Sequence, residues 1–181
     1  MAVLGKNFWG AAGKYLYPDQ VCASIYDIDL AELYASGVSG LILDIDNTLK
    51  PPGAKGFEKR VFDWLDAARE IGFDICLLSN STRRRVMRFS SGLALLSITF
   101  AKKPASSGFR KAIRLMDSEA AKVCVVGDQI FTDVLGAKRL GLLAVYTRPI
   151  SRKEGPTIML KRILEHFILK NYYKMNKQGE N

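Results

Sequence analysis

Five short apolar runs, each ending in polar or charged residues, recur along the chain at intervals too long for hairpins. They are "GLILDID" (40–46), "FDICLLS" (73–79), "LSITF" (96–100), "KVCVVGD" (122–128) and "LLAVYT" (142–147). Runs this short and this continuously apolar predict strands buried on both faces. Between them, 57–71, 82–91, 106–117 and 131–140 carry helical spacing and end near glycine or a polar turn, as after Ile71 and Leu140. Such alternation predicts an α/β fold, a parallel sheet with helices on both faces. At 181 residues the chain is expected to form one domain. Its core is expected at about 40–147, with an N-terminal extension over 1–39 and a basic amphipathic C-terminal segment over 148–181.

In open parallel sheets, ligands bind beyond the carboxyl ends of the strands. Asp44 and Asp46 stand at the end of the first run, Ser79 and Asn80 at the end of the second. Lys102 and Lys103 follow the third, and Asp128 follows the fourth, with Asp133 five residues on. The topology alone therefore collects these groups at one edge of the sheet. Asp44, Asp46, Asp128 and Asp133 would place several carboxylates in one small volume, where they repel one another. A hard divalent cation relieves that conflict, and oxygen-only ligands favour Mg2+ over zinc. Lys103, Ser79 and Asn80 add a cation and hydrogen-bond donors suited to a phosphate group. One aspartate can then attack phosphorus, and the other can move the proton. Simpler roles stand beside these: Asp44 or Asp46 as a strand-end turn residue, and Thr132 or Asp133 as a helix cap.

The ordered set "DIDNT" (44–48), "LLSNS" (77–81), "KKP" (102–104) and "GDQIFTD" (127–133) resembles the four-motif signature of the haloacid dehalogenase (HAD) superfamily. "LYPDQVCASIYDID", "GDQIFTDVLGAKRLG" and "TRPISRKEGP" extend the resemblance to the YqeG family of capless subfamily IIIA phosphatases over nearly all of 15–170. That family is related to phosphatases acting on phosphatidylglycerophosphate. The resemblance implies a Rossmann-like fold and Mg2+-dependent phosphatase activity through an aspartyl-phosphate. It assigns Asp44 as nucleophile and Asp46 as general acid and base, with the Asp46 backbone carbonyl on the metal. Thr48 would brace the loop at the phosphate site, Ser79 and Asn80 would bind the phosphoryl group, and Lys103, next to Pro104, would steady it. Asp128 would ligate the metal directly, and Asp133 directly or through water.

About thirty residues separate Leu49 from Ser79, and about two dozen separate Ser79 from Lys103. One helix fits each interval and no cap domain does, so the site is expected to be open. An open site suits a large substrate or one presented by a surface. Between Asn80 and Arg114 there are nine basic residues and no acidic one. Arg83, Arg84 and Arg85 fall in the first turn of the second helix, where cations oppose the helix dipole. Contact with an anionic substrate or surface explains them better than helix stability does.

From Arg148 onward there are eight basic and three acidic residues. Within that segment, apolar residues 158, 159, 160, 163, 164, 167 and 168 are spaced for one broad helix face. The face either covers the sheet or lies on anionic lipid. The aromatic-rich stretch 7–18 leaves a similar choice, and His166, the only histidine, receives no catalytic part.

The apolar runs fall short of the roughly 20 residues that span a bilayer. No secretory leader is read at the N-terminus. Three cysteines without metal spacing fit reduced thiols and a cytoplasmic location, with peripheral contact at a membrane left open. A lipid phosphate such as phosphatidylglycerophosphate is the expected substrate. A soluble metabolite, nucleotide or phosphoprotein is the alternative, followed by a non-catalytic nucleic-acid-binding module. Nucleic acid is not favoured, because binding alone has no need of the aspartate–lysine set.

Overall fold

A computed structural model describes residues 13–84, 86, 95–152 and 154–179. Six parallel strands form one sheet: β1 (Gln20–Cys22), β2 (Gly40–Leu43), β3 (Asp74–Leu78), β4 (Leu96–Ile98), β5 (Val123–Gly127) and β6 (Leu143–Thr147). Their spatial order is β1-β6-β5-β2-β3-β4, which places the two aspartate-bearing strands, β2 and β5, side by side at the centre. The helices whose bounds lie within the described residues are α1 (Leu30–Ala35), α2 (Lys59–Ile71), α3 (Ser106–Leu115), α4 (Leu135–Lys138) and α5 (Pro156–Gly179). A short π-helical turn, Ile130–Val134, leads into α4 where a single α-helix over 131–140 was expected. β1 was not anticipated: the extension before residue 40 supplies an edge strand to the sheet.

Alternation along each strand divides the core in two. Leu41, Leu43, Ile75, Leu77 and Val126 face α2, through Trp64, Leu65 and Ala68. Ile42, Cys76, Leu78 and Val125 face the other way, onto Phe109 and Ala112 of α3 and Ala137 of α4. α2 stops at Gly72, whose φ of 116° is open to glycine at little cost. The intervals 44–58 and 79–95 are too short in sequence to hold a second domain; the helix expected over 82–91 falls mostly outside the described residues. All three cysteines are buried and unbridged; burial pushes the Cys76 and Cys124 thiols up to about 12, leaving them unreactive.

α5 turns most of its spaced apolar residues away from the sheet. Ile158 is partly buried and Ile168 buried, but Met159, Leu160, Ile163, Leu164 and Phe167 are exposed. The side turned to the protein carries Arg162 and Glu165 instead.

Candidate active site

The hydrogen-bond ladder carries the chain one residue beyond β2, where Asp44 N–H donates to the Val126 carbonyl at 2.9 Å. That bond fixes Asp44 at the carboxyl edge, next to the end of β5. On the other side, Ser79 N–H donates to the Ile98 carbonyl and Ala101 N–H to the Ser79 carbonyl, tying the ends of β3 and β4 together. The Asn80 side chain completes this tie. Its carbonyl accepts from Lys103 N–H at 2.7 Å and its amide donates to the Lys103 carbonyl at 3.3 Å. The Asn80 side chain thus holds the Lys103 loop in place, a job distinct from the phosphate contact expected of it.

Lys103 is buried, and its ammonium donates to Asp44 and to Asp133, the latter at 2.6 Å. Burial disfavours the charge on Lys103, but Asp133 and Asp44 outweigh it and hold the ammonium above its ordinary range. Asp133 also accepts from Gln129 N–H and the Thr132 hydroxyl. A Cβ on Gly127 would lie 2.5 Å from the Asp133 Cβ, so glycine is needed for this close approach.

Asp46 points elsewhere. Its carboxylate accepts from Lys50 Nζ at 2.7 Å and from the Ser81 hydroxyl at 3.1 Å. Lys50 is fully buried, and a sequence reading that passed over it had one available signal, its i,i+4 spacing from Asp46. The Thr48 hydroxyl donates to Asp128 at 3.3 Å, bridging the loops after β2 and β5.

A cavity of about 320 Å³ opens over Asp44, Asp46, Ser79, Asn80 and Lys103, with Glu154 and Ile158 on its rim. Thr48, Asp128 and Asp133 lie behind this lining. Arg83 and Arg84 are exposed and do not line it, and Arg85 lies outside the described residues.

Arg162 went unrecognised in the sequence. Its guanidinium binds both the carboxylate and the backbone carbonyl of Asp128, and also pairs with Glu154 and Glu165. Glu165 in turn accepts from Ile130 N–H at 2.7 Å, at the start of the π-helical turn. Asn47 (φ 70°) donates to Glu154 at 2.6 Å and accepts from Ser151 N–H, so the β2 loop is bound to the segment before α5. Nothing in the spacing of Arg162 or Glu165 connects them to residues more than thirty positions away.

Six carboxylates (Asp44, Asp46, Asp128, Asp133, Glu154 and Glu165) meet three cations (Lys50, Lys103 and Arg162) in these ion pairs. The consequence falls on two of them. Burial, with a further push from Asp133, raises the Asp44 carboxyl to about 6 despite Lys103. Burial and the charge of Asp44 raise Asp128 well above the carboxylate range despite Arg162.

A site short of positive charge, with oxygen donors only, fits a hard divalent cation. Among the described residues no three acids converge as a ready-made metal cage. All four aspartates give carboxylate oxygens to protein partners: Asp44 gives one, to Lys103, and lines the cavity, whereas Asp128, bonded to Thr48 and Arg162, could serve a metal only by yielding one of those bonds. Few protein carboxylates is the usual condition for Mg2+, which keeps water and substrate phosphate as its other ligands.

Comparison with known proteins agrees with this architecture. A family model described as haloacid dehalogenase-like hydrolase matches residues 54–141. The chain is 33% identical over 156 residues to "Probable phosphatase YqeG" of Bacillus subtilis, covering 86% of this chain and 91% of that protein. It is 27% identical to "Phosphatidylglycerophosphate phosphatase 1, chloroplastic/mitochondrial" of Arabidopsis thaliana, covering 89% of this chain and 49% of that one. Among solved structures, an uncharacterized protein from Corynebacterium glutamicum superposes with a TM-score of 0.52 at 22% identity, over 64% of this chain and 89% of its own. One from Listeria monocytogenes gives the same TM-score at 16% identity, over 66% of this chain and 88% of its own. These last two likenesses speak to the fold alone. The chain belongs to the YqeG family of phosphatases, within the haloacid dehalogenase-like hydrolases.

Proposed function

We propose that the chain hydrolyses a phosphate monoester through an aspartyl-phosphate on Asp44, with Mg2+ as cofactor and a lipid phosphate such as phosphatidylglycerophosphate as substrate. The observation that carries the mechanism is Lys103 held between Asp44 and Asp133 beside a cavity that also exposes Asp46 and Ser79.

The Asp44 carboxylate attacks phosphorus, forming an acyl-phosphate bond as the bond to the leaving oxygen breaks. Asp46 supplies the proton that the departing oxygen takes, with Lys50 and Ser81 fixing its orientation. Asp46 then accepts a proton from a water molecule that attacks the same phosphorus, and phosphate leaves with Asp44 restored. Lys103 keeps the nucleophile in place throughout and offers positive charge to the phosphoryl oxygens. Asp44, Asp128 and the Asp46 backbone carbonyl would hold Mg2+, which supplies further positive charge to those oxygens.

Support for a lipid substrate is of a different kind. It comes from the names of the Arabidopsis relative and of a Chlamydomonas reinhardtii one, "Phosphatidylglycerophosphate phosphatase 1, chloroplastic", of which this chain spans about half and under two thirds, at 49% and 64%. A cavity with no domain over it among the described residues agrees. Phosphate release from phosphatidylglycerophosphate in mixed micelles, compared with a water-soluble phosphomonoester and a chelator control, tests the assignment. Metal-dependent release from the lipid supports it; turnover of the soluble ester alone removes the lipid and leaves the mechanism.

A further inference from the structure

α5 is amphipathic in the inverted sense. Its protein-facing side holds Glu165, only 1% exposed, and Arg162, while Met159, Leu160, Ile163, Leu164 and Phe167 are 52–64% exposed. At 100° per residue, Leu160, Ile163 and Phe167 form one stripe, flanked by Met159 and Leu164. Lys170 and Lys174, both exposed, continue that stripe toward the C-terminus. A contiguous exposed apolar face on a folded protein marks something that covers it.

Charge identifies the cover. Both described acids of the segment, Glu154 and Glu165, are turned onto Arg162. The outward charges that remain are positive: Lys170 and Lys174 on the helix, and Arg148 and Arg152 on the loop before it, all exposed. No acidic residue pairs with either of those arginines among the described residues. Arg148 and Arg152 stand on a groove of about 460 Å³ whose other walls include Met159 and Leu169, so cationic and apolar surfaces adjoin. Ile158 and Glu154, at the N-terminal end of the helix and on the loop before it, belong to the rim of the active-site cavity.

We infer that the outer face of α5 docks on an anionic phospholipid bilayer. Leu160, Ile163 and Phe167 enter the headgroup–acyl boundary, and Lys170, Lys174, Arg148 and Arg152 meet lipid phosphates. The helix is too rich in charge to span the bilayer, and among the described residues none is long and apolar enough to do so. The N-terminal end of the docked helix adjoins the cavity rim. The inference deepens the lipid-phosphate reading and rests on it for its purpose, but vesicle binding can be measured without turnover.

The test is co-sedimentation of the full chain with vesicles of phosphatidylcholine, with and without phosphatidylglycerol, in chelator and without any phosphate monoester. The protein is expected to sediment with the phosphatidylglycerol-containing vesicles only. Leu160→Glu with Phe167→Glu is expected to weaken partitioning by about a hundredfold or more. Lys170→Glu with Lys174→Glu, which leaves the apolar stripe intact, is expected to weaken it by about tenfold or more. Both variants should hydrolyse a water-soluble phosphomonoester as the parent does. Failure of the parent to sediment, or sedimentation unchanged in both variants, overturns the inference. So does a concentration-dependent dimer of the parent that Leu160→Glu with Phe167→Glu dissociates, because a second copy then covers the face. Vesicle binding by a parent that hydrolyses no ester would instead leave the docking surface and remove the phosphatase mechanism.

Discussion

The Arg162 guanidinium on α5 grips Asp128 at the end of β5 by both its carboxylate and its backbone carbonyl. The contact makes the C-terminal helix part of the site, since the same guanidinium orders Glu154 on the cavity rim. Burial opposes the Arg162 charge, but Glu154, Asp128 and Glu165 overcome it and raise its proton affinity further.

Arg162→Ala would leave three acids without their shared cation, two of them buried. The expected loss is about 3–5 kcal/mol of stability, measured by urea unfolding. Arg162→Lys is expected to recover only part of it, because an ammonium lacks the planar fork by which Arg162 reaches Asp128, Glu154 and Glu165 at once.

Lys50→Met is predicted to act on the leaving group. With Lys50 gone, Asp46 keeps its bond from Ser81 but loses the 2.7 Å contact that fixes its other oxygen. Turnover of an alkyl phosphate, whose departing oxygen needs a proton, should fall by about tenfold or more. Turnover of p-nitrophenyl phosphate, whose leaving group needs little protonation, should fall much less. Equal losses on the two esters would place Lys50 outside the proton-transfer step.

The raised Asp44 carboxyl has a consequence for the metal-free protein. An acid whose folded pKa lies above its unfolded value favours folding below the unfolded value and loses that contribution as pH rises through the folded one. For Asp44 the window runs from 3.8 to about 6, a shift equivalent to about 3 kcal/mol. Asp128 changes stability in the same direction. In chelator, thermal stability should therefore fall between pH 4 and pH 7, and Asp44→Asn should flatten the fall. Added Mg2+ should raise stability at pH 7 far more than at pH 4.

Asn80→Ala removes two hydrogen bonds between the loops after β3 and β4. It should cost about 1–3 kcal/mol. Because those bonds hold the Lys103 backbone, kcat should fall while Asp44 remains competent to react. A variant with normal kcat and lowered stability alone would show that the tie is purely structural.

Strand-end polar groups were legible because parallel topology fixes where such ends meet, whatever their separation in sequence. The bounds of β2 to β6 lie within three residues of the apolar runs that announced them. β1 sits in "PDQVCAS", where Val21 and Cys22 are too few apolar residues to register as a run. Direction was the harder matter. Asp44 and Asp46 are two residues apart, yet one turns to Lys103 and the other to Lys50. Likewise the apolar spacing of α5 is plain in the sequence, but periodicity does not say which face the protein turns inward. Here that choice goes to an Arg162–Glu165 pair whose partners, Asp128 and the Ile130 amide, are contacts of tertiary structure alone.

The most direct measurement is mass analysis of acid-quenched reactions of Asp46→Asn with p-nitrophenyl phosphate and Mg2+. A good leaving group lets Asp44 be phosphorylated, while loss of Asp46 slows the water attack that would clear it. A phosphoryl group on the peptide containing Asp44, absent when Asp44→Asn is added, is the predicted result. Undiminished phosphate release by Asp44→Asn, or a phosphoryl group carried by another residue, would contradict the account.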